Sequence, residues 1–198
     1  MESGPLAYLV LGLLAANSLA LLLSRDWRRV LAALALQYLL AFVLITPSWP
    51  LDLAAVKLVA GWMATAILGL TLINLPEEPS ESEGRFPRSA AFLTMVAGVV
   101  AVMVSGAAPA LVDWSRQFNL TQAWGGLFLI GIGVMQVGLG SSVFRNLVGL
   151  LILLSGFEII YAAVELSILV AGLLAMLTLG VALIGSYLMQ APGAEPGR

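Results

Sequence analysis

The chain has 198 residues, 61% of them hydrophobic and 10% charged, with a net charge of −2 and a mean hydropathy of +1.02. Soluble domains are about 45–50% apolar and about 25% charged, so the composition places the chain among membrane proteins, and the small net charge gives no footprint for a nucleic-acid partner. Cysteine and histidine are both absent, which excludes disulfides, thiol chemistry, Cys- or His-held zinc, haem or iron–sulfur clusters, and a histidine base; no cofactor, metal or catalytic residue is expected.

A membrane-spanning helix needs about 20 apolar residues in succession. Seven segments approach that length, over 5–24, 30–45, 53–75, 90–107, 122–142, 147–164 and 167–189. They predict an all-α fold, a polytopic transmembrane helix bundle of seven spans lying in a lipid bilayer. The first segment follows "MESGP", which carries an acidic residue where a signal peptide has basic ones, and it is read as a retained span. The second is short and can be completed through "RDWRR" at one end or toward "TPSWP" at the other.

Between spans two and three, "TPSWPLD" (46–52) is a Pro-bounded turn in which Trp49 suits the membrane interface and Asp52 can cap the next helix. "PEEPSESEGRFPRS" (76–89) is the strongly polar loop, rich in Pro, Ser and Glu and expected to be mobile. "DWSRQFN" (113–119) joins spans four and five. The tail over 191–198 carries no apolar run and is expected to be disordered.

Alternate connections gather Arg25, Arg28, Arg29, Arg85, Arg88, Arg145 and Arg198 on one side, against Arg116 and the near-terminal Lys57 on the other. The excess of basic residues on cytoplasmic loops then predicts an outer N-terminus and a cytoplasmic C-terminus. The expected location is the cytoplasmic (inner) membrane, as a multi-pass protein. "WRRVLAALALQYLLAFV" (27–43) also aligns with "FRNLVGLLILLSGFEII" (144–160), with Arg28 on Arg145 and Leu34 on Leu151. The pairing predicts a three-helix unit over 1–75, a polar loop and linker span over 76–121, and a second three-helix unit over 122–190, as parallel repeats.

The polar residues inside the spans are the candidate site. Glu158, set in "LSGFEIIYAAVELS" (154–167), is expected near the bilayer midplane, where burying a charge costs about 2.5–3.5 kcal/mol on insertion scales. A carboxyl group there can take up and release protons, or it can hydrogen-bond a neighbouring helix. Tyr161 is one helical turn on and Glu165 seven residues on, both on the Glu158 face. Glu165 falls at the turn into the last span, either as a solvated loop acid or as the outer end of a proton path. Lys57, just inside span three, either snorkels to the interface or faces the bundle; Asp52, five residues away, sits on another face of the helix. Asn17, Gln37 and Gln136 are read as hydrogen-bonding glue between helices. Gly126, Gly133 and Gly140 recur every seven residues and form a stripe for close helix packing.

"RNLVGLLILLSGFEIIYAA" (145–163) resembles the second-helix signature of the K subunit of NADH:quinone oxidoreductase, through Arg145, Asn146, Gly156, Glu158 and Ile159. The same three-helix module occurs in the C subunit of cation/proton antiporters and, in a longer form that matches this chain in size, in the E component of hydrogenase-4. There the third helix carries a lysine that Lys57 in "AAVKLV" would match. The resemblance implies a non-catalytic subunit of a redox-driven, ion-translocating complex, with Glu158, Lys57, Glu165 and Tyr161 as a proton relay and other membrane subunits as partners. One departure stands out: the last span, "ILVAGLLAMLTLGVALIGSYLM", lacks the second intramembrane Glu of the K subunit. Two alternatives stand beside this reading. One is a stand-alone small-solute transporter of 3+1+3 topology, as in SWEET proteins, although the triplets lack internal prolines other than Pro5. The other is a structural membrane scaffold.

Overall fold

In a computed structural model, residues 5–75, 89–115, 117–140 and 142–190 are described, and the fold is all-α. Seven helices follow in order: α1 (Pro5–Leu23), α2 (Trp27–Ile45), α3 (Leu51–Asn74), α4 (Ala90–Trp114), α5 (Leu120–Leu139), α6 (Val143–Val164) and α7 (Ile168–Gln190). Each is long and apolar enough to cross a membrane, which makes the chain a multi-pass membrane protein. The polar loop expected over 76–89 lies outside the described residues except for Ser89, as do the tail over 191–198 and Arg116.

Helix boundaries follow local chemistry. Asp26 accepts a hydrogen bond from the Arg28 backbone N–H (2.9 Å) and so starts α2 at Trp27, completing the short second span on its "RDWRR" side. Ser89 caps α4 through the Phe92 N–H, and Ser142 caps α6 through the Arg145 N–H. Asp52 does not cap α3: Pro50 occupies that position with no side-chain bond, and Asp52 falls in the first turn, favourably placed for the helix dipole. Span four runs beyond its expected end to Trp114, so Pro109 lies inside α4 rather than after it. It removes one backbone donor and leaves the Ser105 carbonyl without its usual i+4 partner.

The bundle is built around α5 and α6, its most closely packed pair. Gly126, Gly133 and Gly140 of α5 and its terminus meet α6, which presents Gly149 and Gly156, also seven apart. A Cβ at Gly156 would lie 2.6 Å from the Gly126 carbonyl oxygen, and one at Gly149 would lie 3.1 Å from the Gly133 carbonyl oxygen. The two backbones are therefore in direct contact, which only glycine permits. Helix α3 packs on α7 and α2 lies against α6, while α1 contacts α2, α4 and α5. With α1 touching α5, α2 touching α6 and α3 touching α7, the helices before and after α4 form one bundle. Helices α4 and α7 are the most exposed.

Polar ties fasten both ends. Where α1 begins, Gln122 of α5 donates to the Leu44 carbonyl (2.8 Å), and Trp49 Nε1 donates to the Glu165 carbonyl (2.8 Å). Trp49 is therefore not an interfacial anchor turned to lipid; it is 3% exposed and joins the α2–α3 turn to the α6–α7 turn. Replacing Trp49 by Phe, which keeps most of the packing but loses this bond, is expected to lower unfolding stability by about 1 kcal/mol in a denaturation series. At the other end Arg145, counted among loop residues on sequence grounds, lies buried in the first turns of α6. Its guanidinium donates to the carbonyls of Leu21 and Ser24, which have no further helical partner at the end of α1.

Candidate functional site

Lys57 of α3 and Glu158 of α6 form a buried ion pair, each 4% exposed. Lys57 Nζ donates to Glu158 Oε1, and the Thr178 hydroxyl of α7 donates to the same oxygen (3.2 Å). Three helices therefore converge on one carboxylate. Lys57 does not snorkel to the interface; its side chain is turned into the bundle. Among the described residues it is joined to Glu158 by the one buried ion pair, since the remaining pair, Arg29–Asp26, is solvent-exposed.

Helix lengths place the pair. Lys57 is six residues from the start of α3, and Glu158 is six residues from the end of α6. At 1.5 Å per residue both lie about 9 Å below the same end of the bundle. The carboxylate therefore lies nearer one end of α6 than its middle, because α6 starts at Val143 rather than near Leu147. The end nearer the pair is the one closed by Trp49 and Glu165.

Neither of the other predicted relay residues, Glu165 and Tyr161, hydrogen-bonds to the pair. Glu165 is exposed at the C-cap of α6, where its carboxylate accepts from the backbone N–H groups of Leu166 and Ser167 (both 3.1 Å). Its seven-residue spacing does not put it on the Glu158 face, because the helix ends before it is reached. Tyr161 is half-buried and stacks on Phe157 with ring centroids 6.0 Å apart; Phe157 faces outward.

Two neighbours of the pair escaped the sequence reading. Thr178 looked like any small polar residue in an apolar span, and nothing in its sequence position marks it. Tyr38 of α2 is buried, on a helix that packs against α6. Its ring lies against Gly61, one turn from Lys57 on α3, where a Cβ would collide with the ring carbons. A tyrosine set eleven positions after a span's start, opposite a glycine in the next span, was the available signal. Asn17 bridges to α2 through Gln37 Oε1 (2.7 Å) and the Ala33 carbonyl (2.8 Å), and Gln136 Nε2 donates to the Arg145 carbonyl (3.4 Å). These three glutamine and asparagine side chains tie helices together.

The described residues contain no cluster of three or more metal-ligating side chains. The site is thus a buried acid–base pair with the Thr178 hydroxyl on the shared carboxylate oxygen, built on the class of protein the fold defines: a seven-span helical membrane protein. No protein-family model, no curated protein and no solved structure matches the chain.

Proposed function

We propose that this chain is a non-catalytic membrane subunit of a larger complex that translocates protons or other cations, with Lys57 and Glu158 as a relay pair. The observation that carries the reading is the buried ion pair itself. Ionisable residues inside membrane spans are costly and most often mark ion pathways. Here they come from helices 101 positions apart in sequence, and each is nearly inaccessible. Such a pair has two states that differ by one proton. While Lys57 faces it, Glu158 is held as a carboxylate; when the ammonium swings away, the carboxylate takes a proton, and the return of Lys57 releases it. Glu165, at the exposed end of α6, is the outer group of the path, with Tyr161 lying between it and Glu158 along the helix. The resemblance of 145–163 to the K-subunit signature supports a hetero-oligomeric setting in an inner membrane, with other membrane subunits as partners.

Glu158→Gln in the native assembly tests this. The amide keeps the size and the hydrogen bonds but cannot cycle a proton, so coupled transport should fall by an order of magnitude or more while the partners still copurify. Unchanged transport sinks the relay. A structural reading has its own support, since one carboxylate ties α3, α6 and α7 together. Exchanging the two residues, Lys57→Glu with Glu158→Lys, separates them: a tie alone tolerates the exchange in full, whereas a relay loses transport.

A further inference from the structure

Two buried hydroxyls on helices that meet around the ion pair, Tyr38 Oη of α2 and Ser155 Oγ of α6, have no hydrogen-bond partner. Tyr38 is 4% exposed and Ser155 2%. Ser155 lies three residues before Glu158 on α6, so the two side chains leave the helix on neighbouring faces. Tyr38 belongs to α2, which packs against α6. Its ring lies against Gly61 of α3, where a Cβ would collide with the ring carbons. Helix lengths put all three within about one helical turn of each other in depth. Tyr38 is seven residues from the end of α2, Ser155 nine from the end of α6 and Glu158 six, or about 10, 14 and 9 Å below the same end of the bundle at 1.5 Å per residue.

Inside a membrane an unpaired hydroxyl loses its hydrogen bonds without return, so a buried one is ordinarily satisfied by a protein group or by water. Side chains could do so, but none does here. Internal water is the ligand whose chemistry fits. It needs two to four polar partners. Tyr38 Oη, Ser155 Oγ and the Glu158 carboxylate supply donors and acceptors of both kinds.

We infer that Tyr38 and Ser155 hold internal water against the α2-facing side of Glu158. The pair is thereby extended into a hydrated cluster sealed from both membrane faces. Lys57 and Thr178 approach the same carboxylate from α3 and α7, so the water takes the remaining side. This site does not require that the pair move ions. A transport-neutral Glu158→Gln variant would sink the relay and leave the water in place.

X-ray radiolytic labelling of the full chain in lipid nanodiscs, read by mass spectrometry, tests it. Hydroxyl radicals formed from a water bound to a side chain oxidise that side chain even where bulk solvent does not reach. Phe128, 2% exposed in α5, serves as the dry control. Tyr38 should be oxidised several-fold faster than Phe128 after correction for intrinsic reactivity. Ser155→Ala, which removes one hydroxyl and leaves a smaller apolar group, should reduce that rate several-fold. Tyr38 labelled no faster than Phe128 in the wild-type chain overturns the inference, and this arm needs no variant to fold. A Tyr38 rate unaffected by Ser155→Ala overturns the shared site.

Discussion

Lys57→Met is expected to destabilise the bundle by about 3–5 kcal/mol, the cost of leaving one member of a buried ion pair without its partner. The substitution changes side-chain volume little, so packing contributes little to the loss. What is lost is the ammonium that faces Glu158 Oε1, leaving Thr178 as that oxygen's remaining donor. The carboxylate must then stay charged in a low-dielectric interior or take up a proton, and either course consumes stability. The companion variant makes the argument specific. Lys57→Met combined with Glu158→Met removes both charges and fills the space with apolar atoms, and this exchange is often neutral or stabilising. The double variant should therefore recover most of the loss. Reversible unfolding from mild detergent, run as a double-mutant cycle, gives the coupling directly. Additive losses from the two single variants would mean that the pair is not a coupled unit in the folded protein.

The second large effect is expected at the α5–α6 contact. Gly133→Ala places a methyl group against the backbone of Leu153, a neighbour that cannot rotate away. The helices must separate along a seam that also holds Gly126, Gly149 and Gly156. The cost is expected at about 2–3 kcal/mol, the upper part of the range for overpacking, since backbone rather than a side chain must yield. Gly12 is the matched control. It also lies within a helix, but nothing stands within 4 Å of the position a Cβ would take. Gly12→Ala should stabilise by up to about 1 kcal/mol through the lost flexibility of the unfolded chain. The two substitutions are chemically identical, so opposite signs in the same unfolding assay isolate backbone approach as the cause. Equal effects would contradict the packing described here.

The glycine seam also shows how far a linear pattern carries. The period of seven in Gly126, Gly133 and Gly140 marks one face of α5 directly, because two turns of helix return nearly to the same direction. The complementary period in Gly149 and Gly156 is equally visible once α5 is known to need a partner. The polar ties were less legible. Trp49 stood in a turn, where tryptophan ordinarily marks an interface, and only its bond to the Glu165 carbonyl, 116 positions away, explains its burial. A charge beside an apolar run ordinarily lies in water, and that expectation groups Arg145 with the loop arginines. Its burial follows from the unsatisfied carbonyls at the end of α1, which lie 121 and 124 positions earlier.

By itself the amino-acid sequence determined the membrane class, the seven spans and the residue types that are out of place in hydrocarbon. Each of these depends on the transfer free energy of a contiguous segment, which hydropathy sums without reference to any neighbour. The tertiary structure alone decided which of those misplaced residues meet. A helix in lipid is free to turn about its axis until packing fixes it. Whether Lys57 faced lipid or Glu158, and whether Glu165 shared the Glu158 face, rested on that rotation and on where α6 ends. Contacts between distant helices set both.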